Sequence, residues 1–127
     1  NAMTPPTREK AEARFAEAPD DGSVLVMEEK ATGKVIGMIS LLKTDYYPLP
    51  DIFPWVSSLF VTEEWRGRRL SQRLVEHANA YAESLGFERT YIPSEHVGLY
   101  EKYGYRYLKD IVNYGGGTDR LYVKELK

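Results

Sequence analysis

Residues 59–72, which read LFVTEEWRGRRLSQ, decide the fold of this chain. The apolar run at residues 55–61 is typical of a buried strand, and a short arginine- and glycine-rich loop follows it. From residue 68 to residue 85, apolar residues recur at intervals of four, four, three and four, as Leu70, Leu74, Ala78, Tyr81 and Leu85. That spacing predicts a helix that buries one stripe against a core. The stretch is therefore a strand, a turn and a helix joined at one junction.

The junction concentrates positive charge at the predicted helix start. Arg66, Arg68, Arg69 and Arg73 fall within eight residues, and Gly67, which has no Cβ, lets the backbone close on a ligand. Free N–H groups and the helix dipole attract phosphates to such a start. The stretch has neither the Gly-Lys-Ser/Thr ending of a P-loop nor the three spaced glycines of a dinucleotide site. It predicts a diphosphate-binding turn, with a solvated helix face or a small nucleic-acid patch as the alternatives.

Periodicity and turn residues predict the remaining elements. They are a helix over residues 8–18, a hairpin of strands over 23–29 and 35–42, a strand over 87–92, a short helix from Pro93 to about residue 103, and a final hairpin over 105–112 and 121–126. The loop at residues 45–54 contains three prolines, which exclude a regular central strand there. This order predicts an α/β or α+β fold with a mixed sheet.

Composition bounds the class of protein. The 127 residues suit one domain over residues 3–127, and Asn1-Ala2 ahead of Met3 resembles the remnant of a cleaved tag. The absence of cysteine excludes a disulfide scaffold, a thiolate nucleophile and a cysteine-ligated metal, and two isolated histidines predict no metal site. No apolar run approaches the roughly 20 residues of a membrane helix, so we expect no membrane partner. No charged and then apolar leader follows Met3, so we expect a cytoplasmic location. The net charge of −2 argues against a general nucleic-acid binder.

A second motif lies downstream, where residues 99–105 read LYEKYGY. It resembles the Leu/Phe-Tyr-x-x-x-Gly-Phe/Tyr signature of the GNAT superfamily of N-acetyltransferases. Residues 66–71 resemble that family's acetyl-coenzyme A motif, Arg/Gln-x-x-Gly-x-Gly/Ala. The two motifs stand in the family's order with a helix and a strand between them, and the resemblance covers roughly residues 7–126.

The resemblance implies a mixed, mostly antiparallel central sheet flanked by helices. It also implies an N-terminally shortened chain without the family's usual first strand and helix. A missing edge strand leaves backbone that another copy can cover, which predicts a homodimer. Arg69 and Ser71 stand where the family prefers glycine or alanine, and Pro93 replaces a frequent asparagine.

The resemblance also implies roles for individual residues. Tyr100 would be the general acid that protonates the departing thiolate. Acetyl-coenzyme A, the co-substrate, would lie along the end of the strand and on the turn, at Leu59, Phe60, Val61, Arg66, Gly67, Arg68, Arg69, Leu70 and Ser71. No metal is expected.

The acceptor side is less determined by sequence. Asp51 and Trp55 are candidates for contact with the acceptor, because acids and aromatic rings suit a cationic amine. His96 is a third candidate, because it lies four residues before Tyr100 on the same predicted helix. Asp51, Asp45 and Glu63 are the open candidates for a general base acting through water. The predicted function is acetyl transfer to a primary amine, of small-molecule or peptide origin, by direct attack in a ternary complex. The alternatives are a non-catalytic acyl-coenzyme A-binding module and a small nucleic-acid binder.

Overall fold

A seven-stranded sheet runs through the part of the chain that the computed structural model describes, which is residues 12–17, 22–43 and 45–126. The strands are β1 Glu12–Glu17, β2 Gly22–Glu28, β3 Val35–Leu42, β4 Trp55–Val61, β5 Arg89–Ser94, β6 Arg106–Val112 and β7 Thr118–Glu125. One α-helix, α1, spans Leu70–Ser84, and short 3₁₀ turns span Glu63–Trp65 and Tyr100–Tyr103. Within these ranges no helix is both long and apolar enough to cross a membrane.

The strand order in the sheet is β1-β2-β3-β4-β5-β7-β6. Neighbouring strands are antiparallel except for β4 and β5, which are parallel. The predicted mixed, mostly antiparallel fold is therefore confirmed. β4 and β5 pair at a single position, Trp55 with Tyr91, where the Tyr91 N–H donates to the Pro54 carbonyl at 3.1 Å. Beyond that position the structure records no pairing between the two strands, so a gap opens in the middle of the sheet.

The prediction of a helix over residues 8–18 is wrong where the structure describes the segment. Glu12–Glu17 is strand β1, which pairs antiparallel with β2 from Glu12 opposite Glu28 to Glu17 opposite Ser23. The segment has helix-forming residues, but pairing with a neighbouring strand overrides a preference worth only tenths of a kcal/mol per residue. β1 also covers the edge of β2 that the sequence predicts to be unpaired. Residues 8–11 and 18 lie outside the described residues.

A second correction concerns the segment after β5. The sequence predicts a helix opening at Pro93, but β5 continues through Ser94, and only Tyr100–Tyr103 forms a 3₁₀ turn. Pro93 and Ser94 pair with Leu121 and Arg120 of β7. Because β5 lacks a recorded partner on its other side here, it behaves as a sheet edge, which tolerates proline.

Helix α1 packs one stripe of side chains against the sheet. Leu70, Leu74 and Ala78 are at most 2% exposed, which confirms most of the predicted stripe, whereas Leu85 is 53% exposed beyond the end of the helix. The close approach depends on Gly37 of β3, since a Cβ there would lie 3.0 Å from Cδ1 of Leu74. This packing brings the start of α1 next to the end of β4.

Candidate active site

Two adjoining cavities lie along the gap between β4 and β5. The turn-side cavity, of about 500 Å³, lies between the end of β4 and the start of α1. The tyrosine-side cavity, of about 390 Å³, lies between β4, the end of β5, the 45–47 loop and Tyr100. Leu59 and His96 line both cavities. The two cavities therefore adjoin at the open position of the sheet, and together they are called the cleft below.

The turn-side cavity brings together most of the residues that the sequence predicts to hold the coenzyme. Eight of those nine residues line it: Leu59, Phe60, Val61, Arg66, Gly67, Arg69, Leu70 and Ser71. The ninth, Arg68, lies outside the lining, with its guanidinium 5.5 Å from the centre of the Trp65 ring. Leu99 and Trp65, which the sequence does not single out, complete the wall.

The backbone at the start of α1 is shaped as an anion site. Gly67 and Arg69 both have left-handed backbones, with φ of +78° and +62°. Arg69 is the N-cap, and no side chain within the described ranges caps the helix. The Arg73 N–H donates to the Arg69 carbonyl at 3.3 Å, so the N–H groups of residues 70–72 precede the helical ladder. These groups carry the positive end of the helix dipole and suit a phosphate.

The two departures from the family motif leave this turn open. Arg69 is exposed, and Ser71 is half-buried, with its hydroxyl 3.0 Å from the Tyr103 hydroxyl. Neither side chain fills the space in front of the helix start, which remains part of the turn-side cavity. Arg69 has a local cost in conformational free energy of about 1–2 kcal/mol, because the left-handed region is disfavoured for a non-glycine residue.

Two of the clustered arginines keep unsatisfied donors. Nη1 of Arg68 and Nε of Arg73 are buried without a hydrogen-bond partner among the described residues. Arg66 instead donates from Nε to the Val61 carbonyl at 2.9 Å, which ties the turn to the end of β4. A buried donor without a partner costs about 1–3 kcal/mol, and more when charged. Arg68 and Arg73 both lie outside the lining of the turn-side cavity.

A β-bulge in β4 directs backbone groups toward the gap. Ser57 pairs with Ser40 and Phe60 with Met38, so Ser58 and Leu59 together face one residue of β3. Ser58 has a φ of +55°. A bulge bends a strand and leaves a residue unpaired, and the strand beyond it has no recorded pairing with β5. Such a free edge can bind an extended ligand as an added strand. The sequence carries no signal for the bulge, because serine does not mark a left-handed position.

Tyr100 lies at the base of the tyrosine-side cavity. It is 7% exposed, and its ring centre lies 5.9 Å from that of Tyr103, 6.3 Å from that of Tyr105 and 5.9 Å from that of Tyr122. Burial, and then the proximity of the Tyr103 phenol, raise the pKa of Tyr100, while a hydrogen bond with Ser94 lowers it in part. The phenol is therefore protonated at neutral pH and can act as a proton donor.

Asp45 is the carboxylate that shares this cavity with Tyr100. Its Oδ1 accepts the Tyr46 N–H at 2.6 Å, and its Oδ2 accepts a short hydrogen bond from the Ser57 hydroxyl. The other two candidate bases, Asp51 and Glu63, are exposed and line neither cavity. The sequence left these three carboxylates open because Asp45 and Asp51 lie on the loop before β4 and Glu63 lies on the turn after it, and no local pattern gives their distances from Tyr100.

The remaining acceptor candidates separate in the structure. Trp55 is 1% exposed, stacks on Tyr47 at 5.1 Å between ring centres, and packs in a small core cluster with Ile111 and Leu121. It lines neither cavity, so its indole serves the core. His96 lines both cavities, although on an irregular segment and not on the predicted helix. Its N–H donates to the Ser94 hydroxyl at 3.0 Å, and its carbonyl accepts a hydrogen bond from Tyr122.

A buried polar triangle supports Tyr100 from the core side. The Thr90 hydroxyl lies 2.7 Å from Oδ1 of Asn79 and 2.6 Å from the Tyr105 hydroxyl, which itself donates to Asn79 at 2.9 Å. Burial raises the pKa of Tyr105 to about 12, and the hydrogen bonds with Thr90 and Asn79 lower it in part. The triangle joins α1, β5 and the start of β6, a connection that no sequence pattern indicates.

Solved structures share this fold at low sequence identity. A GNAT family acetyltransferase from Elizabethkingia anophelis with acetyl-CoA bound is 13% identical, with a TM-score of 0.70 over 92% of this chain and 99% of that one. An aminoglycoside 6'-N-acetyltransferase complexed with coenzyme A is 16% identical, with a TM-score of 0.67 over 85% and 74%. An acetyltransferase from Streptococcus agalactiae is 24% identical, with a TM-score of 0.62 over 82% and 66%.

The sequence itself also matches a family. No curated protein matches the chain. The family model described as an acetyltransferase (GNAT) domain, however, matches residues 20–107, which include β2 to β5, α1, the arginine-rich turn and Tyr100. The match covers more than half of the chain and contains both motifs of the cleft. The chain therefore belongs to the GNAT acetyltransferase family.

Proposed function

We propose that the protein transfers an acetyl group from acetyl-coenzyme A to a primary amine, by direct attack in a ternary complex. The observation that carries the proposal is the meeting of two cavities at Leu59 and His96. One cavity contains an anion-binding turn, and the other contains a protonated, buried phenol at Tyr100. A coenzyme and an acceptor can therefore occupy adjoining spaces at the same time.

The residues of the turn-side cavity fit the coenzyme. The N–H groups at residues 70–72 and the Arg66 and Arg69 side chains, which line the cavity, suit its phosphates. The free edge of β4 beyond the bulge suits the extended pantetheine arm, whose amides can pair as a strand does. The bound coenzyme would supply a thioester, which a neutral amine can attack.

The tyrosine-side cavity supplies the proton for the leaving group. The amine nitrogen forms a bond to the acetyl carbon as the carbon–sulfur bond breaks, and the sulfur takes the Tyr100 proton. Ser94 can hydrogen-bond the phenolate that results, because it already interacts with the phenol. Burial raises the pKa of Tyr100 above the ordinary 10 of a phenol, so the phenol keeps its proton until the breaking carbon–sulfur bond makes the sulfur basic.

The test combines binding with turnover. We expect calorimetry to detect acetyl-coenzyme A binding and thiol release to depend on an added amine. Tyr100→Phe should reduce kcat by about 10²–10⁴-fold with an unchanged Kd for acetyl-coenzyme A, because it removes only the proton donor. Tyr107→Phe is the matched control, since that exposed hydroxyl bonds Asp110 outside the cleft. Binding without turnover by the wild type would favour a non-catalytic acyl-coenzyme A module instead.

Location and assembly are further proposals. We propose a cytoplasmic enzyme, as the composition suggests, and a homodimer. Support for the dimer comes from the exposed edge strand β6, where Leu108 is 40% and Val112 is 53% exposed. Light scattering after size-exclusion chromatography tests the assembly, and a monomer at micromolar concentration would refute it.

A further inference from the structure

The two ends of the cleft carry opposite charge. Arginines line the turn-side cavity, whereas no lysine or arginine occurs among the described residues that line the tyrosine-side cavity. Asp45 is the one carboxylate in that second lining, and His96 stands at its border with the first. An acceptor that reaches Tyr100 therefore meets negative charge and hydroxyl groups.

Asp45 is held in a defined orientation. The Tyr46 N–H occupies one acceptor site on Oδ1 of Asp45, and the Ser57 hydroxyl occupies one on Oδ2. A carboxylate has about four acceptor sites, so each oxygen retains a site for a further donor. Ser57 belongs to β4, next to the bulge, and its hydrogen bond therefore ties the 45–47 loop to the strand beside which the thioester would lie.

The carboxylates around Asp45 also affect the pKa of the neighbouring Tyr47. Burial, a hydrogen bond to Asp119 at 2.6 Å, and then the charges of Asp119, Asp45 and Glu95 raise its pKa. Of these carboxylates, Asp45 lines the tyrosine-side cavity, and Asp119 accepts the hydrogen bond of the Tyr47 phenol at its wall. Negative charge at these two positions favours a cation over an anion in the cavity.

We infer that Asp45, oriented by Ser57, binds the acceptor ammonium and takes its proton through a water, and that the acceptors are small amines without a negatively charged group. This inference rests on the proposed function. The ammonium loses one proton to Asp45, and the neutral amine then attacks the acetyl carbon. The second amine proton, released as the amide forms, restores Tyr100, and Asp45 returns its proton to solvent. The net products are the amide, the thiol of coenzyme A and one proton.

The exclusion of anionic acceptors follows from the same geometry. An α-amino acid places a carboxylate two bonds from its amine, so the carboxylate would enter the cavity beside Asp45. None of the described lining residues there offers a lysine or arginine to pair with it. The amine formed by removing that carboxylate has the same side chain and lacks the repulsion. Paired substrates of this kind therefore isolate the charge effect.

The experiment compares phenethylamine with phenylalanine, and tyramine with tyrosine, at saturating acetyl-coenzyme A. We expect the wild type to have at least about a tenfold higher kcat/KM for each amine than for its amino acid, which corresponds to about 1.4 kcal/mol. Asp45→Asn should lower kcat/KM for the amines by about 10²-fold or more. It should also reduce the ratio of kcat/KM between each amine and its amino acid. Ser57→Ala should cause a smaller loss that Ser57→Thr restores, since threonine keeps the hydroxyl. Glu83→Gln, on an exposed face of α1, is the control.

Each outcome decides a separate point. An unchanged Kd for acetyl-coenzyme A in Asp45→Asn shows that the cleft is intact. If the wild type acetylates amines but prefers the amino acids, or if Asp51→Asn or Glu63→Gln reduces turnover as much as Asp45→Asn, the inference is wrong while the proposed function stands. If the wild type binds acetyl-coenzyme A and acetylates none of the four compounds or any other amine, the proposed function itself is wrong.

Discussion

Gly67 allows a direct test of whether the turn before α1 binds the coenzyme through its backbone shape. Gly67 has a φ of +78°, and a Cβ added there would have no atom within 4 Å. Gly33, in the β2–β3 turn far along the chain, has a φ of +73° and the same open surroundings. Alanine at either position therefore introduces the same backbone strain, about 1–2 kcal/mol, without a steric clash. The two substitutions form a matched pair.

The strain should appear in different measurements for the two variants. Gly67 is exposed, so the turn of Gly67→Ala can relax in the free protein, and binding must restore the strained shape. If restoration costs about 1–2 kcal/mol, the Kd for acetyl-coenzyme A rises roughly 5- to 30-fold. Gly33→Ala should leave that Kd unchanged within about twofold. Its free energy of unfolding should fall by about 1 kcal/mol, because a stiffer unfolded chain offsets part of the strain.

Isothermal calorimetry with acetyl-coenzyme A and urea denaturation of both variants provide the two measurements. Gly67→Asn serves as a further comparison, because asparagine tolerates the left-handed region better than alanine and should recover part of the affinity. Equal affinities in Gly67→Ala and Gly33→Ala would refute the view that the turn's backbone binds the phosphates.

Two further predictions concern stability. Leu74→Ala should lower the free energy of unfolding by about 2–5 kcal/mol in urea titrations, because Leu74 is fully buried on the inner face of α1; a loss below 1 kcal/mol would contradict its place in the core. The second uses Tyr105, whose pKa of about 12 exceeds the ordinary 10 of an unfolded tyrosine. The unfolded chain therefore loses the Tyr105 proton at a lower pH than the folded protein does. The raised pKa contributes about 3 kcal/mol to the free energy of unfolding; this contribution is complete below pH 10 and is lost as the pH rises to about 12. Urea titrations at pH 8, 10 and 11.5 should show this fall in the free energy of unfolding for the wild type and a smaller fall for Tyr105→Phe. An identical pH dependence in the two proteins would contradict a raised pKa of Tyr105.

Local sequence signals predicted most of the elements near the cleft. The stripe of α1, the β2–β3 hairpin and the final hairpin follow from spacing and turn residues, and the structure has them within about two residues at most ends. Where local signals failed, long-range pairing decided the outcome. Glu12–Glu17 has helix-forming residues but pairs along β2, and Ser94 extends β5 because it lies opposite Arg120 of β7.

The candidate site likewise has one part that local sequence predicts and another that only the tertiary structure brings together. The turn from Arg66 to Ser71 is contiguous in sequence, and it depends on charge and backbone chemistry that the sequence displays. The acceptor side is assembled from separate segments, so the sequence could not choose among Asp45, Asp51 and Glu63. Trp55 shows the same difficulty, since an aromatic residue beside an acidic loop suits a cation site, but stacking on Tyr47 buries it in the core.

By itself, the sequence determined the class of fold, the position of the arginine-rich turn and, through its resemblance to the family signature, Tyr100 as the residue to test, because each depends on residues close together in the chain. The tertiary structure alone decided the bulge at Ser58, the gap between β4 and β5, and the meeting of Asp45 with Tyr100 in one cavity. The physical reason is that these features depend on how strands pair across the sheet. A strand's register and its partners are set by contacts between segments far apart in the chain, which no local pattern records.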